Sequence, residues 1–249
     1  MKQSVLILDC GATNVKACLI NTAGQVIASH ALPNNTVADP FFQGGLIWDI
    51  DDIWNKLASC SRQVSAAAVD TEITAVTVTT FGVDGAAVKK DGALCYPVIS
   101  WQCNRTEAVE MNISKYFERE WLYQITGLQS YHFNTIHKLI WLRENRPDVL
   151  NDMDYYVMMP SLILQRLSGE FITDTTMAGT SMLTEMKKRC FSNEILAPLG
   201  LTQADFPPLT EPGTVIGKVT THAAEELGIG KRIPVVAAGH DTQFAILAS

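Results

Sequence analysis

The apolar positions along the chain follow two different periodicities. Residues 4–8, 15–20 and 25–32 are short apolar runs of strand length, and the Asn21-Thr22-Ala23-Gly24 stretch between the last two has turn chemistry. This pattern predicts an antiparallel meander. A loop rich in Pro, Asn and Gly follows, up to about residue 46. Asp49 then reads as a helix N-cap, because Ile53, Trp54, Leu57 and Val64 recur behind it at helical spacing. Residues 73–80 alternate β-branched side chains and read as a strand, and residues 86–89 and 94–100 flank an Asp91-Gly92 turn, a hairpin pattern. From 105 to 170 the spacing becomes helical, over 106–125, 135–144 and 161–167, with Gly169 as a helix stop. Shorter helices are expected at 193–199 and 221–227. Residues 233–238 form a buried-type strand that runs into Gly239-His240-Asp241, after which TQFAILAS resumes helical spacing.

Bulk composition narrows the function without naming it. The chain has 249 residues, 47% hydrophobic and 18% charged, enough for one large α/β domain or two small ones with a real core. A net charge of −7 argues against nucleic acid or an anionic membrane as partner. It leaves anionic substrates open, since a local nest of backbone N–H groups holds phosphates whatever the net charge. The opening Met1-Lys2-Gln3 passes directly into a strand, which predicts no signal peptide, and no apolar run approaches the ~20 residues of a spanning helix. Cys10, Cys18, Cys60, Cys95, Cys103 and Cys190 form no CxxC pair, so zinc and redox spacing is absent and the thiols read as reduced. A cytoplasmic location is the expectation.

Four short motifs carry candidate chemistry. In Asp9-Cys10-Gly11-Ala12-Thr13-Asn14-Val15-Lys16 a strand ends in a carboxylate, then a small turn offers backbone N–H groups, a hydroxyl and a lysine. That set suits triphosphate oxygens and a hydrated Mg²⁺, although a plain hairpin explains the same letters. It is neither a Walker loop nor a dinucleotide fingerprint. Gly239-His240-Asp241-Thr242 lies at a strand's carboxyl end, where ligands gather in open α/β sheets. Asp241 there suits a proton acceptor for a sugar hydroxyl or, equally, a helix N-cap. Thr80-Phe81-Gly82-Val83-Asp84-Gly85 offers close backbone approach and a carboxylate for a polyol, or a simple turn. Trp101 and Arg105 provide an apolar wall and a hydroxyl donor, or a half-buried Trp and a surface Arg.

Taken in order, these motifs resemble the FGGY family of carbohydrate kinases, from residue 4 to the end. The stretches LDCGATNVKA, VTTFGVDGA, YPVISWQCNRT, FNTIHKLIWLREN, TDTTMAGTSM and AGHDTQFA are most similar to the branch of that family acting on L-fuculose, with the L-rhamnulose branch next. The resemblance implies an α/β fold of the actin-like, ribonuclease-H-like type: a mixed sheet with flanking helices, one of two lobes that enclose ATP and Mg²⁺. It implies ATP-dependent phosphorylation of a ketose, a deoxy-ketohexose such as L-fuculose. The alternatives are L-rhamnulose, xylulose, or a non-catalytic sugar-sensing domain that would need neither Asp9 nor Asp241.

By resemblance Asp241 is the proton acceptor, Asp9 sits near the metal, and Gly11, Ala12, Thr13, Asn14, Val15 and Lys16 form the ATP contact. Gly82, His240 and Thr242 line the sugar pocket, with Asp84, Trp101, Arg105 and Asn134 as further candidates. Ala12 stands where many relatives have Thr, and Cys103 where many have a sugar-contacting Asp. The latter reads as altered specificity toward a deoxy sugar. Residues 1–238 are expected to form the sugar-binding domain and 239–249 the start of a hinge and second lobe otherwise absent. The chain stops in an apolar stretch without a capping residue, which predicts self-association there, leaving a homo-oligomer open, and no turnover by residues 1–249 alone.

Overall fold

The computed structural model describes residues 2–247; the expectations that fall on Ala248 and Ser249 lie outside the described residues. The chain opens with the predicted meander: β1 (Lys2–Cys10), β2 (Asn14–Asn21) and β3 (Val26–Pro33), each antiparallel to its neighbour. The strand Thr71–Thr80 adds to β1 in parallel, Pro234–Val236 adds in parallel beyond it, and Val215–Lys218 closes that edge antiparallel. The result is a six-stranded mixed sheet with flanking helices.

Strand alternation decides which face each side chain takes. Leu6, Leu8 and Cys10 of β1 and Val15, Ala17 and Leu19 of β2 are buried on one face, against helix α1 (Ile50–Ala67). Asp9 and Lys16 occupy the other, half-exposed face and are direct cross-strand partners. Helix α1 starts as expected: the Asp49 carboxylate accepts the N–H groups of Asp51 at 3.1 Å and Asp52 at 3.0 Å.

Three parallel strands therefore point their carboxyl ends to one edge. β1 ends at Asp9-Cys10, the second at Thr80, and the third runs on to Gly239-His240-Asp241. These ends are stitched together, with Thr80 N–H donating to Gly239 C=O at 3.0 Å and Phe81 N–H to Cys10 C=O at 3.2 Å. Motifs 70 to 230 residues apart in sequence thus meet at one place.

Between the second and third parallel strands the chain builds a mostly helical layer. The helix Thr135–Asn145 is buried from Thr135 to Leu142, and Met159–Ser168 ends at Gly169 with φ 81°, as predicted. The expected helix at 106–125 is instead four pieces: 3₁₀ turns at Asn104–Thr106 and Ile113–Lys115, and α segments at Glu107–Met111 and Arg119–Thr126. Asn112 breaks it, turning its side-chain amide back onto Ala108 C=O at 2.8 Å. The Asp91-Gly92 turn forms, but the paired hairpin shrinks to a bridge between Val88 and Leu94. Gly85–Val88 pairs instead with Tyr155–Met158, and Val98–Ile99, just past Pro97, pairs with Leu46–Trp48. All six cysteines are free, and among the described residues no helix is long and apolar enough to cross a membrane.

Candidate active site at the carboxyl ends of the strands

Two cavities open along the edge where the parallel strands end, and Asp241 lines both. The first, about 610 Å³, is bordered by Asp9, Gly11, Thr13, Asn14, Lys16 and Thr79. The second, about 480 Å³, is bordered by Gly82, Trp101, Asn134, His240, Thr242 and an apolar wall that includes Tyr131 and Phe133. A carboxylate at their junction faces both contents at once.

In the first cavity the turn after β1 is tight enough to demand glycine. Gly11 N–H donates to Asn14 C=O at 2.9 Å, and a Cβ at position 11 would sit 2.8 Å from that oxygen. Lys16 Nζ lies 3.6 Å from Asp9 Oδ2. Burial pushes the Asp9 carboxyl up from its ordinary range; the Lys16 charge opposes this and the negative charge of Asp241 adds to it. Asp9 and Asp241 are two carboxylates bordering one cavity, a pair that suits a hydrated cation. Among the described residues no three His, Cys, Asp or Glu side chains are grouped to hold a metal. This donor set suits Mg²⁺, which keeps most of its waters and takes one or two carboxylates together with substrate phosphates.

Two residues of the predicted ATP loop take other positions. Val15 is fully buried in the core, because β2 alternation turns it toward α1, so its side chain cannot meet phosphate. Ala12 borders the second cavity and is not among the residues bordering the first.

In the second cavity His240 is the centrepiece. Its ring rests on Gly82, where a Cβ would come within 2.7 Å of Nε2. Its Nε2 lies 3.6 Å from Asp241 Oδ1, and its backbone N–H donates to Thr176 Oγ1 at 2.9 Å. Burial lowers the His240 pKa and the Asp241 charge pulls the other way. Its Nδ1 is buried with no hydrogen-bond partner among the described residues. Asp241 begins the helix Asp241–Leu247 and its Oδ1 accepts from Thr242 N–H at 2.6 Å and Thr242 hydroxyl at 3.1 Å. These bonds come from the next residue, so the side chain does not cap the helix in the way weighed from the sequence. Asp241 is the first helical residue, and its side chain remains 38% exposed at the cavity junction.

Three predicted sugar contacts are engaged elsewhere. Asp84 is fully buried and ion-paired with Lys138, and also accepts from Trp48 Nε1 at 2.7 Å and Trp101 N–H at 3.0 Å. Arg105 is held by Asp39 at 2.6 Å and the Tyr96 hydroxyl at 3.2 Å, between the rings of Phe42 and Trp141. Cys103, expected to tune specificity, is buried with Sγ 3.1 Å from Arg105 Nε. None of the three lines the cavity. Alternation and a long side chain make such residues look available in sequence, whereas here each satisfies a buried partner. Asn134 does border the cavity, but its amide is occupied, accepting Tyr131 N–H at 2.8 Å and donating to Thr180 C=O at 3.1 Å.

Residues unmarked by sequence reasoning complete the site. Phe133 stacks on Tyr131 with centroids 5.2 Å apart and meets Trp101 edge-on at 6.4 Å, building the apolar wall. Asp174 caps the helix Thr175–Thr180 and, through Thr176, reaches His240. Its position before Thr-Thr-Met is an N-cap signature that the sequence did offer.

Residues 4–248 match the FGGY family of carbohydrate kinases, N-terminal domain. The chain belongs to the FGGY family. L-fuculokinase of Escherichia coli (strain K12) is 44% identical over 250 residues, across 100% of this chain and 53% of that protein. A rhamnulokinase of Bacteroides thetaiotaomicron is 28% identical, across 100% of this chain and 51% of its own length. The structure of gluconate kinase from Lactobacillus acidophilus superposes with a TM-score of 0.91 at 21% identity, across 98% of this chain and 49% of that one. This FGGY chain thus has the actin-like sugar-kinase fold and spans about half the length of the curated relatives it matches.

Proposed function

We propose that this chain is the sugar-binding lobe of an ATP-dependent kinase that phosphorylates a ketose, with L-fuculose as substrate and L-fuculose 1-phosphate as product. The observation that carries the reading is the position of Asp241 at the junction of the two cavities. A sugar in the apolar-walled cavity and a triphosphate beside Asp9 and the Gly11 turn would place hydroxyl and γ-phosphorus on either side of one carboxylate. Asp241 accepts the hydroxyl proton as that oxygen bonds to the γ-phosphorus and the bond to the ADP oxygen breaks. In such transfers the base mainly orients the nucleophile, and positioning with charge stabilisation supplies most of the rate. Asp9 and Asp241 would hold Mg²⁺, which when bound would neutralise phosphate charge. In this reading the relatives' remaining length, about half of each, would supply the second lobe that completes the cleft.

The substrate assignment rests on the 44% identity to an L-fuculokinase, against 28% to a rhamnulokinase. The apolar wall of Trp101, Tyr131 and Phe133 supports the choice of a methyl-bearing sugar. Turnover of ATP by a two-lobe form of the protein, measured against L-fuculose, L-rhamnulose and D-xylulose, tests it. One methyl pocket or hydroxyl contact is worth roughly 10–200-fold in kcat/KM, so L-fuculose should lead by such a factor. A tenfold lead for D-xylulose would reject the substrate and keep the kinase, and no turnover with any ketose would reject both.

A further inference from the structure

Directly behind the second cavity lies a charge pair that phosphoryl transfer does not use. Lys138 and Asp84 are 1% and 0% exposed and form an ion pair. Lys138 Nζ also donates to Val83 C=O at 3.1 Å, which accepts a second hydrogen bond from Thr135 Oγ1 at 2.8 Å. Asp84 in turn accepts the Trp101 backbone N–H at 3.0 Å. Val83 and Trp101 both line the cavity.

Val83 has φ 64°, in the left-handed region that a β-branched residue seldom adopts. Such a conformation persists only where the surroundings over-determine it. Here the surroundings are identifiable: Lys138 and Thr135 hold its carbonyl, and its N–H meets Thr180 Oγ1 at 3.3 Å. A buried ion pair is poor value as a stabiliser, since well-packed apolar residues commonly serve as well or better. What apolar residues would not do is grip one carbonyl and one N–H on two separate segments of a cavity wall.

We propose that Lys138 and Asp84 are positioning residues, a buried clamp that fixes Val83 and Trp101 in their sugar-ready arrangement before sugar arrives. The inference rests on reading this cavity as the sugar side. It reassigns Asp84 from contact with sugar to control of the wall that sugar meets.

The test uses the full chain with Asp84→Asn and Lys138→Met combined. Both charges leave together, so no unpaired buried charge remains, and Asn keeps an acceptor for the Trp48 and Trp101 N–H groups. The double variant is expected to melt near the wild type yet bind L-fuculose about tenfold more weakly by calorimetry. In a two-lobe form the KM for ATP should stay unchanged. Native-like melting with unchanged sugar affinity would overturn the clamp. Hydrogen exchange of the wild-type protein without sugar supplies a second arm, independent of whether the variant folds or L-fuculose binds. The Trp101 amide should already exchange as slowly as core strand amides. Exchange at loop rates, slowed only on adding L-fuculose, would overturn the clamp as well. Failure of the wild type to bind any ketose would reject the functional reading and leave the clamp to the exchange result.

Discussion

A methyl group on Gly82 would sit 2.7 Å from Nε2 of His240. The glycine at the end of one parallel strand is therefore the floor for an imidazole at the end of the next. Gly82 has no positive φ, so alanine fits its backbone, and the clash falls on the ring alone. Gly82→Ala should leave a folded protein, destabilised by about 1–3 kcal/mol from overpacking. Turnover should fall by about 10²-fold, because His240 adjoins Asp241 and small displacements at the reacting centre are costly. Unfolding curves together with steady-state kinetics check both parts.

The second prediction concerns Asp174, which reaches His240 through Thr176. Burial pushes its carboxyl up to about 6 from an ordinary 3.8, with hydrogen bonds from Thr176 and Met177 pulling the other way. Its Oδ2 is buried without a partner among the described residues. Between pH about 4 and 6 the folded chain keeps a proton that the unfolded chain has lost. Stability from this group therefore falls as pH rises through that window and levels off above it, the reverse of an ion-paired carboxylate. Asn keeps the capping oxygen and does not titrate. Relative to wild type, Asp174→Asn should gain about 1–3 kcal/mol between pH 4 and pH 7 in urea unfolding. A pH-independent difference would contradict the assignment.

The third prediction separates stability from recognition around Arg105. Burial pulls the Asp39 carboxyl up, but hydrogen bonds from Phe41 N–H, Tyr96 and Arg105 outweigh it and hold the group below its ordinary value. Arg105→Met strands that carboxylate and should cost about 3–5 kcal/mol. Cys103→Asp places a carboxylate beside Arg105 Nε, outside the cavity. Neither change should alter the ratio of kcat/KM between deoxy and hydroxylated ketoses. A shifted ratio for Cys103→Asp would restore it to the sugar contacts.

The strand ends were the legible part of this site. Asp9, Gly82 and Asp241 each follow a clear apolar run, and strand direction alone brings them to one edge. Which neighbours face the cavity was not legible. Asp84 and Arg105 look like surface polar residues in sequence, since their buried partners Lys138 and Asp39 lie 54 and 66 residues away. The helix holding Lys138 is buried from Thr135 to Leu142, so its spacing marks no polar face that would single out a lysine. Val15 was misplaced for a simpler reason: the loop motif runs three residues, Asn14 to Lys16, into a strand whose alternation turns the Val15 side chain inward. Asn112 ended a helix that apolar spacing carried through, because side-chain capping competes where periodicity sees only continuity.

The central claim is that Asp241 takes the proton of the attacking hydroxyl, and Asp241→Asn tests it most directly. Asn preserves size and can still accept the N–H of Thr242, so the helix start and both cavity walls should persist. It cannot take up the proton. In a two-lobe form of the protein, sugar affinity by calorimetry should stay within about twofold of wild type while kcat falls by on the order of 10² or more. Wild-type kcat in Asp241→Asn would contradict the account.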